Sequence, residues 1–140
     1  FRIRESDRLK IQDRVQNMLI LKNPARSSAS PSEPFAVIGS SHNSVEIEDI
    51  ELFARQRITQ TAEISDLRDV HGDFIKLAGR MAYEITATAR DLESGQNLRI
   101  YQIVLVEGDI YYLMQGRVGE SRFEDYLPEF RAIARSIEIL

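Results

Sequence analysis

Hydrophobic and polar positions follow one another most regularly over residues 79–140. There the pattern predicts strand, turn, strand, turn, strand, loop and helix. "GRMAYEITATARD" runs into the turn "LESGQN", then "LRIYQIVLVE", the tight turn at Gly108 and Asp109, and "IYYLMQGRV". Three long antiparallel strands are expected at Arg80–Asp91, Leu98–Glu107 and Ile110–Val118, consecutive in space. The closing stretch "SRFEDYLPEFRAIARSIEIL" puts Phe123, Leu127, Phe130, Ala134 and Ile137 on one helical face and Arg131 on the wet one. Ser121 followed by Glu124 matches a capping box. Pro128 falls inside that pattern, where proline costs about 3 kcal/mol, so a kink or a main helix beginning near Pro128 is expected.

The first half is less regular. Short strands are expected near Phe1–Arg4 and at Met18–Lys22. The serines and prolines of "NPARSSASPSEP" offer no apolar face, which predicts a mobile loop over 23–34. "FAVIG" reads as a strand stopped by Gly39. A helix follows over Ile47–Thr59, with Ile50, Phe53, Ala54, Arg57 and Ile58 on one stripe and carboxylates crowding its start. "AEISDLRDV" and "FIKLAG" read as two strands joined by a turn at His71-Gly72-Asp73.

Turn chemistry sets the meander's register. A turn at Gly108-Asp109 places Val106 opposite Tyr111 and Val104 opposite Leu113. A hairpin centred on Ser94-Gly95 would place Ile85 opposite Val104 and Tyr83 opposite Val106. One sheet face then carries Tyr83, Ile85, Ala87, Ala89, Ile100, Gln102, Val104, Val106, Tyr111, Leu113, Gln115 and Arg117. The other carries Glu84, Thr86, Thr88, Tyr101, Ile103, Leu105, Tyr112, Met114 and Val118. The middle strand is apolar on both sides, so something must cover each face. Two helices are available. The fold class is therefore α+β, an antiparallel β-meander sheet covered by helices on both faces.

Composition and charge narrow the function. A chain of 140 residues, 43% apolar and 29% charged, suits one domain over 1–140. Its net charge of −4 and pI of 5.3 argue against nucleic-acid binding, which needs a basic face. Residues 1–26 nevertheless carry a net +4. No apolar run reaches the roughly 18 residues of a transmembrane span. The first residue is Phe1, which suggests a removed leader or an excised domain, hence a secreted or cell-envelope setting.

Candidate chemistry is sparse. Cysteine is absent, which removes disulfides, thiolate metal sites and Cys nucleophiles. His42 and His71 are not at metal-ligand spacing, and the carboxylates of "EIEDIE" sit at a helix start that already accounts for them. No G-x-S-x-G nucleophile elbow occurs, and "QGRVG" lacks the length and Lys-Ser/Thr of a P-loop. The residues point to no cofactor and no catalytic or metal site. The one feature left is polar: Gln102, Gln115 and Arg117 share a covered face with the small Ala87 and Ala89, which leaves room for a ligand or ordered water. The alternative is a polar edge bonded to itself where the helix layer ends.

The order "FAVIG", acidic-start helix, "GRMAYE", a strand after "SGQ", "IYYLM" and a closing F…L-P-x-F-x-x-I-x-x-S-I resembles PsbP-like domains. These include DcrB-like bacterial proteins and the Ran-binding nuclear import factor of the same fold. The likeness covers about Phe35 to Ile139, clearest at Gly79, Ala82, Tyr83, Phe130 and Ser136. The N-terminal third departs from it, with no Pro–Gly–Trp-like opening after Phe1. The resemblance implies a PsbP-like α/β/α sandwich and a non-catalytic accessory or assembly role with a protein partner. It also allows a C-terminal accessory domain of a larger hydrolase, such as a zinc metalloprotease. A small-molecule carrier using Gln102, Gln115 and Arg117 is a third reading.

Overall fold

A computed structural model describes residues 1–25, 30, 32–42 and 49–139. Seven strands form one antiparallel sheet in the order β1-β2-β3-β7-β6-β5-β4. They are β1 (Lys10–Val15), β2 (Met18–Lys22), β3 (Phe35–His42), β4 (Ile64–Leu77), β5 (Arg80–Asp91), β6 (Asn97–Glu107) and β7 (Ile110–Gly119). Helix α1 (Ile50–Thr59) covers one face and α2 (Phe123–Arg135) the other. The chain thus makes two meanders, β1–β3 and β4–β7. After β3 it carries α1 to the far edge and returns, so that β7 zips onto β3.

The expected meander is present almost to the residue. Val104 faces Leu113 and Val106 faces Tyr111 across the Gly108 turn, where Gly108 has φ +62. The β5–β6 hairpin is centred one residue earlier than Ser94-Gly95, a register shift of two that pairs Ile85 with Gln102 and Tyr83 with Val104. The reason is local. The Asp91 carboxylate accepts the Ser94 amide at 2.8 Å, the Asp91 carbonyl accepts Gly95, and Gly95 closes a four-residue loop at φ +73. A shift of two keeps every side chain on its expected face.

Other expectations are corrected. Residues 1–4 are not a strand. Arg2 alone bridges to Glu138, and the first strand is Lys10–Val15. β3 does not stop at Gly39 but runs to His42, because β7 pairs with it throughout. The turn at His71-Gly72-Asp73 does not exist. β4 is one edge strand with two bulges, its Asp66 and Asp69 at positive φ. Each bulge absorbs one residue. Ile64, Leu67 and Val70, three apart in sequence, therefore all pack toward α1. Gly72 lies where the Tyr83 ring crosses β4 and leaves no room for a side chain. His71 is an exposed strand residue. The expected start of α1 at Ile47 lies outside the described residues, as do residues 26–29 and 31 of the expected mobile loop.

The Ser121–Glu124 capping box is not formed. A 3₁₀ turn over Glu120–Arg122 feeds α2, which has no side-chain cap. α2 runs unbroken through Pro128. The carbonyl that loses its donor there belongs to Glu124, in the exposed first turn. Tyr126 and Ile133 are buried along with Phe123, Phe130 and Ala134, so the apolar face is wider than the expected stripe. Phe130 fills the space over Gly116, where a Cβ would come within 2.7 Å of its ring. Arg131 is half-buried rather than free on the wet face. Its guanidinium pairs with Glu84 at 3.2 Å, and Glu84 also accepts the buried Tyr101 hydroxyl at 2.8 Å.

Candidate functional site

α1 packs on β5 and β6 and reaches β4, and it meets β7 where Phe53 sets its ring edge-on to Tyr111 at 4.8 Å and where Leu113 packs beside it. On that side β2, β3 and the β7 positions beyond that contact stay open. Their outward residues fall in matched rows: Met18–Gly39–Leu113, Ile20–Val37–Gln115 and Lys22–Phe35–Arg117. The edge of α1 and this open strip border an open-sided cavity of about 580 Å³.

The structure brings all three sequence-predicted residues to this cavity. Gln102 is wholly buried. Its Nε2 donates to the Ala54 carbonyl of α1 at 2.9 Å, and its Oε1 accepts Gln115 Nε2 at 3.0 Å. Gln115 Nε2 also donates to Thr61 Oγ1 at 3.0 Å, and that hydroxyl donates to the Ile58 carbonyl at 2.7 Å. The two glutamines are thus a bonded bracket holding the C-terminal end of α1 to β6 and β7. Both amides are bonded within the chain, the arrangement a self-satisfied polar edge would have.

Arg117 differs. Its side chain is only 15% exposed, stacked 4.5 Å over the Phe35 ring, with one nitrogen donating to the Ala62 carbonyl at 3.3 Å. Its carboxylate partner, Glu63, lies 3.7 Å away on a side chain that is 78% exposed. Burial lowers the Arg117 pKa from the ordinary arginine value, and Glu63 and Asp91 pull it back up. The cation is held in place by backbone and ring but is thinly neutralised.

Sequence reasoning missed the walls. Met18, Phe35, Val37 and Leu113 form the apolar side, and Arg57 adds a second guanidinium. A signal for Arg57 existed, since it interrupts the apolar stripe of α1 at its open end. The β2–β3 face was harder to see, because β3 is apolar on both sides and its register is set by distant β7. A second hollow, of about 860 Å³, shares Phe35, Val37 and Arg117 and is lined by Glu33, Glu63, Asp91 and Glu93. The two hollows have opposite character. The first holds two arginines and no carboxylate; the second is acidic. Among the described residues no group of three His, Asp or Glu side chains is placed to hold a metal ion, and no helix is long and apolar enough to cross a membrane.

By sequence, no family model and no curated protein matches the chain. Solved structures do match by shape. Cyanobacterial PsbP from Synechocystis aligns with a TM-score of 0.61 at 10% identity, covering 94% of this chain and 92% of that one. This chain has a PsbP-like fold. LpqN of Mycobacterium tuberculosis, involved in cell envelope biogenesis, shares the fold with a TM-score of 0.68 at 9% identity, over 94% of this chain and 78% of LpqN. PA94 of Pseudomonas aeruginosa, a protein of unknown function and candidate regulator, aligns with a TM-score of 0.66 at 14% identity, over 92% and 87%. A longer Bacteroides thetaiotaomicron protein contains the same PsbP-like arrangement, with 99% of this chain matching 44% of that one at 12% identity and a TM-score of 0.61.

Proposed function

We propose that this chain is a non-catalytic accessory or assembly domain that binds a protein partner on the open half of its α1-side sheet face. The observation that supports this is the strip of Met18, Ile20, Phe35, Val37 and Leu113, left uncovered beside α1 while the polar groups beneath it are bonded to one another. A site built for chemistry holds an uncommitted base, nucleophile or oxyanion donor near the reacting atom. Here the amides of Gln102 and Gln115 are committed to Ala54, Thr61 and each other. What remains is apolar surface with a polar border, the composition of a recognition face. LpqN's part in envelope biogenesis supports an assembly role and a cell-envelope or secreted setting.

The longer Bacteroides protein favours a second reading, in which the domain is one part of a larger chain such as a hydrolase. The parent gene separates the two, because an upstream HExxH helix marks the zinc-protease version.

Capture on immobilised wild type, Val37→Asp, Met18→Asp and Leu52→Asp tests the partner surface. Leu52, 60% exposed on α1 and absent from the cavity lining, is the control. The expected outcome is a protein retained by wild type and Leu52→Asp and lost from the other two. Identical retention on all four would place the partner surface elsewhere.

A further inference from the structure

Arg117 and Arg57 lie in the same cavity, and no carboxylate lines it, in a chain whose net charge is −4. We propose that this cavity is a binding site for an aliphatic monocarboxylate, with the carboxylate held by Arg117 and Arg57 and the hydrocarbon chain laid along Met18, Phe35, Val37 and Leu113.

Three observations converge. The volume of about 580 Å³ lies within the range of small-ligand sites, roughly 300–1,000 Å³. Arg117 is preorganised: Phe35 stacks on it and Ala62 accepts from it, so little side-chain freedom remains to be lost on binding. Its existing counter-charge is weak, because Glu63 is far out in solvent and reaches it at only 3.7 Å. A carboxylate arriving from the cavity side meets a largely buried guanidinium that holds only one 3.3 Å carbonyl bond and one 3.7 Å ion pair, so it can replace Glu63 as the closer counter-charge. Among the described residues no carboxylate lies within ion-pair distance of exposed Arg57.

The negative end of the α1 dipole would oppose an anion here, but it is already answered. The Gln56 carbonyl accepts Thr59 Oγ1, the Arg57 carbonyl accepts the Gln60 amide, and the Ile58 carbonyl accepts both the Thr61 amide and the Thr61 hydroxyl. The acidic hollow on the far side of Arg117, with Glu33, Glu63, Asp91 and Glu93, gives direction. It repels a second negative charge, so a monocarboxylate with an uncharged tail is favoured over a dicarboxylate.

This site shares Met18, Phe35, Val37 and Leu113 with the proposed partner surface, but it is tested on the purified chain alone with a small carboxylate, so either reading can fail without the other. Calorimetric titration uses decanoate, decyltrimethylammonium and sebacate, each below its micelle concentration. Decanoate should bind saturably and the other two at least tenfold more weakly. Arg117→Gln and Arg57→Gln should each weaken decanoate at least tenfold. Arg57 is exposed and its side chain makes no tertiary bond among the described residues, so its variant keeps the test sound even where Arg117→Gln disturbs the fold. Lys10→Gln, outside the cavity, should bind as wild type does. No saturable decanoate binding, equal binding of the cation, or unchanged affinity in Arg57→Gln would each overturn the proposal.

Discussion

Individual residues in this molecule are tied to partners far away in sequence, which makes their substitutions diagnostic. Phe130 and Gly116 are one unit, a ring seated where only a hydrogen fits. Phe130→Ala should cost about 3–5 kcal/mol through lost transfer energy and the cavity left behind. Gly116→Ala alone should cost about 1–3 kcal/mol, since the added methyl overpacks the ring. The double variant should be less destabilised than the two singles added together, because the smaller residue at 130 makes room for the methyl. Urea melts of the four proteins measure this coupling, and strict additivity would show that the ring does not rest on Gly116. Arg131 is a similar case. Truncation leaves the Glu84 carboxylate, itself 14% exposed, with the Tyr101 hydroxyl but no cation. Arg131→Ala should therefore cost about 1–3 kcal/mol, more than an ordinary surface change. A melt within about 0.5 kcal/mol of wild type would show the pair to be worth little.

Among the elements, β5, β6 and β7 were legible because their turns are short and carry clear turn residues, and because β6 is a long apolar run that marks a central strand. Even the two-residue error at the β5–β6 hairpin left the faces intact. β4 was illegible for a physical reason: its apolar residues recur every three positions, and only bulges with Asp66 and Asp69 in left-handed backbone turn that spacing into one strand face. β1 was missed because four of its six residues are exposed and it pairs only with β2. The candidate site was half legible. Gln102, Gln115 and Arg117 share one strand face, which sequence alternation reveals, whereas Phe35, Val37 and Met18 reach them only through the β3–β7 pairing. Amide exchange follows the same order. β6 amides, flanked by β5 and β7 and buried by both helices, should exchange slowest, and the bulged edge β4 should exchange far faster. Exchange from β6 as fast as from Asp66 and Asp69 would contradict the strand order.

At the scale of the whole molecule, the uneven charge has a structural use. The basic N-terminal stretch wraps α2. Arg2 pairs with Glu138. Arg8 reaches Asp125 at 2.8 Å and Glu129 at 2.5 Å while lying 4.0 Å over the Tyr126 ring. Ser6 and the Arg8 amide also bond Glu129, and Leu9 beside them is fully buried. This clamp joins the start of the chain to its last helix and ought to respond to acid. The Asp125 carboxyl is held below its ordinary value of 3.8, first by the hydrogen bond from Arg8 and then by the charges of Arg8 and Arg122. A carboxyl depressed in the folded state adds stability above its unfolded pKa and loses it as pH falls through the folded one. Wild type should thus be more stable than Arg8→Gln at neutral pH, with the gap unchanged down to about pH 5 and narrowing below about pH 4 as the carboxylate protonates. In an Asp125→Asn background the part of the gap that Asp125 contributes should be absent at every pH, leaving the share held by Glu129 and the ring of Tyr126. Urea midpoints of the four proteins between pH 7 and pH 2.5 decide the matter. A wild-type to Arg8→Gln gap that stays constant down to pH 2.5 would mean that the clamp works through packing on Tyr126 and not through charge.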